Sequence, residues 1–384
     1  MTNSTATPQH ITASAQIHPF TINIPQDELD DLQSRLVRTR LTQELPDAGW
    51  DYGVPVEFVR RLVDYWKDGY NWREWEATLN SYPQFTTEID GQNVHFLHVR
   101  SPEPDAFPLI LTHGWPGSIV EFLDVIGPLT DPRAHGGDPS MAFHLVIPSI
   151  PGFAFSGPTT EKGWGRSRIA AAWAELMHRL GYERYGAHGN DAGSLIAPEL
   201  GRVAGEKVAG VHVTQVFSFP TGDPSEFEGM TNDEMAAMER LKWFWEEMGA
   251  FNQLQSTKPQ NLAHALADSP AGQLAWSAQL FGADAVSDDF ILTNVMLYWL
   301  TNTGASAARF YYEDAHAEHP TEPTTRPLGL AGFADDFTSI RRFADRDHTN
   351  VVQWSTYDRG GHYSAHQVPE LLVDDVRTFF DLVR

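Results

Sequence analysis

A pentapeptide at residues 189–193, Gly-Asn-Asp-Ala-Gly, lies between a short strand-like segment at 185–188 and a helical segment that starts near Ser194. Small residues two places either side of a central reactive residue are what a sharp strand-turn-helix elbow requires, because larger side chains there would collide with the backbone. The pentapeptide therefore predicts that Asp191 is a nucleophile exposed at the end of a strand. An Asp in this place is equally typical of a helix N-cap, so the motif alone leaves both interpretations open.

Strand-like and helix-like segments alternate on both sides of this elbow. The strand candidates are residues 94–99, 109–111, 145–147, 208–216, 328–333 and 351–355, and the main helix candidates are 168–180 and 371–380. The pair Asp90-Gly91, ahead of the first of these strands, is a hairpin signal. Strands that alternate with helices predict an α/β fold with a mostly parallel sheet and helices on both of its faces.

Residues 217–320 interrupt the alternation, since they are helical and aromatic in pattern, with a capping box at Thr231 and Glu234. We expect this segment to be a helical lid inserted into the core. Near the start, a strand-like alternation at residues 20–24 precedes two amphipathic helices, which predicts an N-terminal extension that wraps around the core. The expected divisions are a disordered tail at 1–16, the N-terminal region at 17–100, the core at 101–216 and 321–384, and the lid at 217–320.

Composition narrows the class of protein. The chain has 51 acidic against 27 basic residues, a formal net charge of -24, and no cysteine. Such a charge offers no basic surface for nucleic acid or for an anionic membrane, and the absence of cysteine excludes disulfides, thiolate metal sites and cysteine nucleophiles. No segment approaches the roughly 20 apolar residues of a bilayer span, and the first residues do not resemble a signal peptide. We expect a cytoplasmic enzyme without cofactor or metal that acts on a small apolar molecule.

Two further motifs could supply partners for Asp191. Residues 113–118, His-Gly-Trp-Pro-Gly-Ser, follow an apolar strand, where a His-Gly pair is typical of an oxyanion hole made from backbone N–H groups. Residues 360–363, Gly-Gly-His-Tyr, follow the last predicted strand and place His362 in a glycine-rich turn. Taken singly, the first motif could be an ordinary turn and the histidine could be structural. The chain order nucleophile, acid, histidine nevertheless matches the α/β-hydrolase fold.

Together these motifs resemble the microsomal-type epoxide hydrolase family, which combines an α/β-hydrolase fold with an epoxide hydrolase N-terminal domain. Residues 49–55 (GWDYGVP), 64–72 (DYWKDGYNW) and 84–91 (QFTTEIDG) are similar to that N-terminal domain. The resemblance runs over nearly the whole chain. It implies hydrolysis of a small apolar epoxide by water to a vicinal diol, with a role in detoxification.

The resemblance also implies roles for individual residues, each matched to a motif of the family. The implied site comprises Asp191 as nucleophile, His362 as base, Asp336 as the acid partner of the histidine, Tyr311 as ring-opening donor, and the backbone N–H groups of Trp115 and Ala192 as oxyanion hole. The acid lies in a pattern, Pro-x-Gly-x-x-x-Phe-x-x-acidic, over residues 327–336, and Asp335 is the alternative. Tyr312, next to Tyr311, is the residue most easily confused with the donor.

Two positions depart from the family pattern. Phe251 stands where a second ring-opening tyrosine is often found, so a hydroxyl is missing from the pocket that we expect Phe251 and Trp115 to line. Ala192 follows the nucleophile where many relatives have tryptophan, which would make the pocket roomier.

The implied mechanism has two steps. Because a carboxylate is already ionised at neutral pH, Asp191 would attack the epoxide without help and form an alkyl ester, which water activated by His362 would then hydrolyse. A haloalkane dehalogenase and a small-molecule binding protein on the same fold are the alternatives. The oligomeric state is left open, because aromatic surfaces of the lid could pair two copies of the chain in a homodimer.

Other histidines and acids have structural interpretations. His95 and His98 fit a strand face better than a ligand site. The run that contains Glu313, Asp314, His316, Glu318 and His319 lacks the paired zinc spacing and fits a solvated loop of the lid.

Overall fold

The computed structural model describes residues 16–282 and 285–384, so the expected tail at 1–16 lies outside the described residues except for residue 16. Nine strands in the described part of the chain form one sheet, in the order β1-β2-β3-β5-β4-β6-β7-β8-β9. They are β1 (His18–Phe20), β2 (Gln84–Ile89), β3 (Gln92–Val99), β4 (Phe107–Thr112), β5 (Phe143–Pro148), β6 (Tyr185–Gly189), β7 (Val208–Val213), β8 (Leu328–Gly332) and β9 (Val351–Thr356).

The six strands from β5 to β9 in this order pair in parallel, whereas β1, β2 and β3 form an antiparallel edge. The predicted hairpin is present between β2 and β3, with Asp90 at φ 52° and Gly91 at φ 73°. The α/β fold and the mostly parallel sheet predicted from the sequence are confirmed.

Helices cover both faces of the sheet. They are α1 (Gln26–Val37), α2 (Val56–Asp68), α3 (Trp72–Asn80), α4 (Leu123–Thr130), α5 (Arg166–Arg179), α6 (Ala192–Ala204), α7 (Asn232–Trp243), α8 (Ala250–Thr257), α9 (Gln260–Asp268), α10 (Pro270–Ala278), α11 (Asp288–Leu300), α12 (Gly304–Ala315), α13 (Arg341–Asp347), α14 (Ser364–Gln367) and α15 (Pro369–Val383). Along β4, Leu109 and Leu111 belong to one hydrophobic cluster and Ile110 to the other. Because neighbouring strand residues point to opposite faces, this division shows that both faces of β4 are buried.

The strand predicted at residues 20–24 is wrong beyond its first residue, since β1 ends at Phe20. Ile22 lies next to Asn80, whose side chain bonds the backbone N–H of Ile22 at 2.9 Å and its carbonyl oxygen at 2.8 Å. A side-chain amide thus satisfies backbone groups that an adjacent strand would otherwise pair. The alternation of apolar residues reflects burial of Ile22 here rather than strand pairing.

The N-terminal helices contact α11 within the segment expected to be the lid. The buried indole Nε1 of Trp66 lies 3.1 Å from Sδ of Met296, and the Tyr65 hydroxyl donates to Asp289 at 2.6 Å. The capping box predicted at Thr231 and Glu234 is present at the start of α7. In the part of the chain that the structure describes, no helix combines the length and the apolar character needed to cross a bilayer.

The carboxyl ends of five parallel strands meet at one edge of the sheet. The residues that follow these ends are His113 after β4, Asp191 after β6, Gln215 after β7, Asp336 after β8 and His362 after β9. Segments far apart in sequence therefore converge on one place, which is where ligands commonly bind in sheets of this kind.

Candidate active site

The turn at Asp191 is the predicted elbow. Asp191 has φ 53° and ψ -117° between β6 and α6, a conformation that is strained for a residue with a side chain. A Cβ on Gly189 would lie 2.0 Å from the carbonyl oxygen of Gly193, and one on Gly193 would lie 1.9 Å from that of Thr112. Both glycines are therefore required by close backbone approach, as the sequence predicted.

The Asp191 side chain accepts no N–H from the second or third residue of α6, so the N-cap interpretation is wrong. Its Oδ1 accepts the backbone N–H of Trp115 at 2.9 Å, and the backbone N–H of Ala192, the first residue of α6, also stabilises the carboxylate. Burial raises the pKa of Asp191, while His362 and these two N–H groups hold that rise back. A Cβ on Gly114 would lie 2.1 Å from Oδ1, which explains the glycine in the His-Gly pair.

His362 lies between two carboxylates. Its Nδ1 is 2.9 Å from Oδ1 of Asp336, and its Nε2 is 3.8 Å from Oδ2 of Asp191. The His362 side chain is 23% exposed and that of Asp191 is 18% exposed, so both retain some access. Asp336 is buried, whereas Asp335 is exposed and its backbone pairs with Gly361. The geometry favours Asp336 over Asp335 as the partner of the histidine.

The charges of this group are strongly coupled. Burial alone would lower the pKa of His362, but the carboxylates of Asp336, Asp191 and Glu121 outweigh it and raise the pKa to about 9. Burial would raise the pKa of Asp336, but His362 and Gln215 outweigh it, so the pKa lies below its usual value. At neutral pH the free protein therefore holds His362 as an imidazolium.

Gln215 and Asn190 are site residues that the sequence reasoning missed. Gln215 Oε1 accepts the backbone N–H of Asp191 at 2.8 Å, while its Nε2 donates to Asp336 Oδ2 and to Asn190 Oδ1. Asn190 Nδ2 in turn donates to the carbonyl oxygen of His362 at 2.9 Å. These amides tie the nucleophile, acid and histidine segments together. The polar pair Thr214-Gln215 at the end of an apolar run was the available signal.

The aromatic side chains of Phe251 and Tyr311 lie together beside Trp115. The rings of Trp115 and Phe251 stack at 5.4 Å, and Tyr311 packs edge-on against them at 6.1 and 6.0 Å. Burial raises the pKa of Tyr311 well above its usual value, and Asp191 is the charged group that adds most to the rise. No described residue forms a hydrogen bond with the Tyr311 hydroxyl, which is free to donate.

Tyr312 is separated from this group, since it is 36% exposed and stacks on His316 at 4.1 Å. Asp314 forms an ion pair with Arg166, and His319 bonds the carbonyl oxygen of Asp314. Glu313 and Asp314 lie in the last turn of α12, and Asp314 is buried, so the loop interpretation is wrong for these two residues. His316, Glu318 and His319 follow the helix and are exposed, as expected of a loop.

His95 and His98 have the structural places expected of them. His95 is buried and bonds Ser149 and Gln84, while His98 bonds the Tyr182 hydroxyl at 2.8 Å. Both side chains are thus engaged with neighbouring protein groups.

Comparison with known proteins identifies relatives over nearly the whole chain. Residues 17–122 match the family model described as epoxide hydrolase N terminus. A protein of Stigmatella aurantiaca (strain DW4/3-1), provisionally named an epoxide hydrolase, is 41% identical over 378 residues, which are 96% of this chain and 86% of that protein. Epoxide hydrolase 1 of Sus scrofa is 31% identical over 404 residues, covering 96% and 89%. The structure of Aspergillus niger epoxide hydrolase aligns with a TM-score of 0.84 and 30% identity, covering 97% and 98%.

The parallel sheet, the elbow and the histidine that follows the last strand define an enzyme of the α/β-hydrolase fold. With the relatives just described, the chain belongs to the epoxide hydrolase family and hydrolyses epoxides. None of these relatives bears the name of a dehalogenase or of a binding protein, so those alternatives gain no support from them.

The charge on His362 predicts a pH dependence of stability. Its pKa is about 9 in the folded protein, against an ordinary value of 6.5. Because the folded-state pKa is raised, the stabilisation is complete below about pH 6.5 and is lost as the pH rises through about 9. Across that window the wild type should lose up to about 3 kcal/mol of unfolding free energy. His362→Gln should lose much less.

Urea denaturation at about pH 6 and about pH 9.5 measures both losses. An equal loss in the wild type and in His362→Gln would contradict the assignment of the raised pKa to His362.

Proposed function

We propose that this epoxide hydrolase works in two steps through an alkyl ester on Asp191. The supporting observation is that the two oxygens of its carboxylate have different surroundings. Oδ1 accepts a backbone N–H at 2.9 Å, whereas Oδ2 faces His362 Nε2 at 3.8 Å, which is too long for a direct hydrogen bond. Oδ2 is therefore the oxygen that is free to attack a ring carbon.

In the first step Oδ2 forms a bond to a ring carbon, and the C–O bond of the epoxide breaks. The resulting alkoxide takes the proton of the Tyr311 hydroxyl, because that hydroxyl forms no hydrogen bond with a described residue. The imidazolium of His362 supplies the replacement proton to Tyr311 through solvent. Phe251 offers no second donor, so ring opening depends on Tyr311 alone.

Ester formation prepares the second step. It removes the negative charge of Asp191, which is one of the charges that raise the pKa of His362. The imidazole loses its proton more easily in the ester than in the free enzyme and can act as a base. The change that consumes the nucleophile therefore also activates the base.

In the second step His362 takes a proton from water, and the water oxygen adds to Cγ of Asp191. The negative charge that develops on Oδ1 is bound by the N–H groups of Trp115 and Ala192, each such donor being worth on the order of 3 kcal/mol. When the intermediate collapses, the diol alkoxide leaves and takes the proton from His362. The Asp191 carboxyl then returns its own proton to His362, which restores the starting state.

The proposed substrate is a small apolar epoxide, because aromatic rings surround the proposed donor. We place its action in the cytoplasm, where removal of reactive epoxides would be a detoxification, since a net charge of -24 disfavours anionic membrane surfaces. Trp243 and Trp245, exposed on the lid, offer surface for a homodimer.

Replacement of the base should trap the ester. We expect His362→Gln, mixed with a terminal aryl epoxide, to gain the mass of one epoxide on Asp191, because the nucleophile remains while water is no longer activated. Intact-protein mass spectrometry with peptide mapping measures the adduct. Asp191→Asn is the matched control and should gain no mass. An adduct on another residue, or diol release by Asp191→Asn at the wild-type rate, would contradict the mechanism.

A second hydroxyl should speed ring opening. In Phe251→Tyr the new hydroxyl is expected beside that of Tyr311, and we expect the ester to form on the order of 10-fold faster in single turnovers. Phe244→Tyr is the control, because the ring of Phe244 packs on that of Phe251 at 6.3 Å and not on that of Tyr311, so the rate should be unchanged. An unchanged rate in Phe251→Tyr would mean that one tyrosine already suffices.

A further inference from the structure

Glu121 is a buried carboxylate that the mechanism above does not use. It lies in the short turn Ile119–Phe122 after the His-Gly-Trp-Pro-Gly-Ser loop and is 1% exposed. Its Oε1 accepts from Asn190 Nδ2 at 3.3 Å, while its Oε2 has no hydrogen-bond partner among the described residues. An unpartnered buried carboxylate oxygen is unfavourable and calls for a partner such as an ordered water.

A second unpartnered oxygen belongs to Tyr363, which is 2% exposed and whose hydroxyl also lacks a partner among the described residues. The two side chains pack against the same residue, Gly117. A Cβ on Gly117 would lie 2.5 Å from Glu121 Oε2 and 3.3 Å from Tyr363 Cε1, so only glycine leaves room for both side chains. Two unsatisfied buried oxygens on neighbouring side chains are groups that an ordered water commonly satisfies.

Both side chains are linked to His362. Asn190 Nδ2 donates to Glu121 as well as to the carbonyl oxygen of His362, and the ring of Tyr363 stands perpendicular to that of His362 at 5.0 Å. Glu121, through Asn190, and Tyr363, through its ring, are therefore both connected to His362 separately from the bond between His362 and Asp336.

Charge connects the same residues. The titratable groups that act on Glu121 or respond to its charge are His362, Asp191, Asp336, Tyr298 and Tyr363. Burial raises the pKa of Glu121 well above its usual value, His362 opposes the rise, and Asp191 adds to it. Because His362 is the largest of the charges that act on Glu121, the Glu121 carboxylate is most favourable when His362 carries a proton.

We propose that Glu121 is a positioning residue for hydrolysis of the ester, and that it acts through a buried water shared with Tyr363 and through its charge beside His362. This proposal rests on the two-step mechanism proposed above. While His362 carries the proton taken from the attacking water, the Glu121 carboxylate stabilises the imidazolium. Glu121 itself exchanges no proton. Ring opening needs only Asp191 and Tyr311 and is therefore independent of Glu121.

The test compares Glu121→Gln with the wild type in single turnovers of a terminal aryl epoxide. Glutamine keeps the shape and the acceptor for Asn190 but cannot ionise. We expect ester formation to stay within about two-fold, and ester decay at its high-pH plateau to slow on the order of 10-fold. The midpoint of the decay profile should also move to lower pH, because a negative charge beside His362 is lost. Rapid-quench mass spectrometry over a range of pH measures both rates.

Glu199→Gln is the matched control, since Glu199 is also buried but bonds Ser167 and Arg202 instead. It should leave both rates and the pH midpoint unchanged.

Tyr363→Phe tests the shared water independently, and it serves if Glu121→Gln fails to fold. It should slow decay without affecting formation, and the double variant should decay no more slowly than Glu121→Gln alone, because one water mediates both effects. Glu121→Asp, which keeps an acid on a shorter side chain, should decay at a rate between those of the wild type and Glu121→Gln.

If the ester of Glu121→Gln decays at the wild-type rate, or if ester formation and ester decay are slowed equally, the proposal for Glu121 is overturned. Fully multiplicative effects in the double variant would overturn the shared water. If no ester forms in the wild type or in His362→Gln, the two-step mechanism itself fails, and that result is distinguishable from a failure of Glu121 alone.

Discussion

The strained backbone of Asp191 is the constraint on which the rest of the site depends. With this positive φ the carboxylate meets the backbone N–H of Trp115. A conformation of this kind costs on the order of 1–3 kcal/mol and persists only where the surroundings enforce it. Here the enforcing contacts are backbone to backbone, through Gly189 and Gly193, and the amide of Gln215 holds the Asp191 N–H.

Burial then gives each ionisable group a distinct state. Asp191 is a carboxylate stabilised by two N–H groups, and His362 is an imidazole between two acids. The hydroxyl of Tyr311 has no hydrogen-bond partner among the residues that the structure describes. Because the groups are coupled, a change of charge on Asp191 alters the pKa of His362 and of Glu121 together. We infer that this electrostatic coupling, rather than a conformational change, makes ester hydrolysis follow ring opening.

Local motifs were predictable from the sequence because their chemistry is local. The elbow needs glycines at fixed spacing, the hairpin needs residues that tolerate positive φ, and the parallel sheet follows from alternating strands and helices. The family pattern ranked Asp336 ahead of Asp335, but the distinction rests on the burial of Asp336 and its contact with His362, which no spacing rule supplies. The strand predicted at 208–216 ends at Val213, because Thr214 and Gln215 bond the residues around Asp191 instead.

Gln215, Asn190 and Glu121 were missed because their roles arise from contacts between segments distant in sequence. Gln215 left a trace in the polar pair Thr214-Gln215, and Glu121 left one as a charged residue within the apolar run Ile119–Phe122. Such a residue is equally compatible with an exposed helix face until the fold shows that it is buried.

In the two-step mechanism Asp191, and not water, opens the ring. The most direct measurement is a single turnover with excess wild-type enzyme in water enriched in ¹⁸O, followed by mass spectrometry of the diol and of the peptide that contains Asp191. Our account predicts an unlabelled diol and a labelled Asp191 carboxylate. The water oxygen adds to Cγ of Asp191, whereas the two oxygens of the first diol come from the epoxide and from Oδ2 of Asp191. A labelled diol with an unlabelled Asp191 would contradict it.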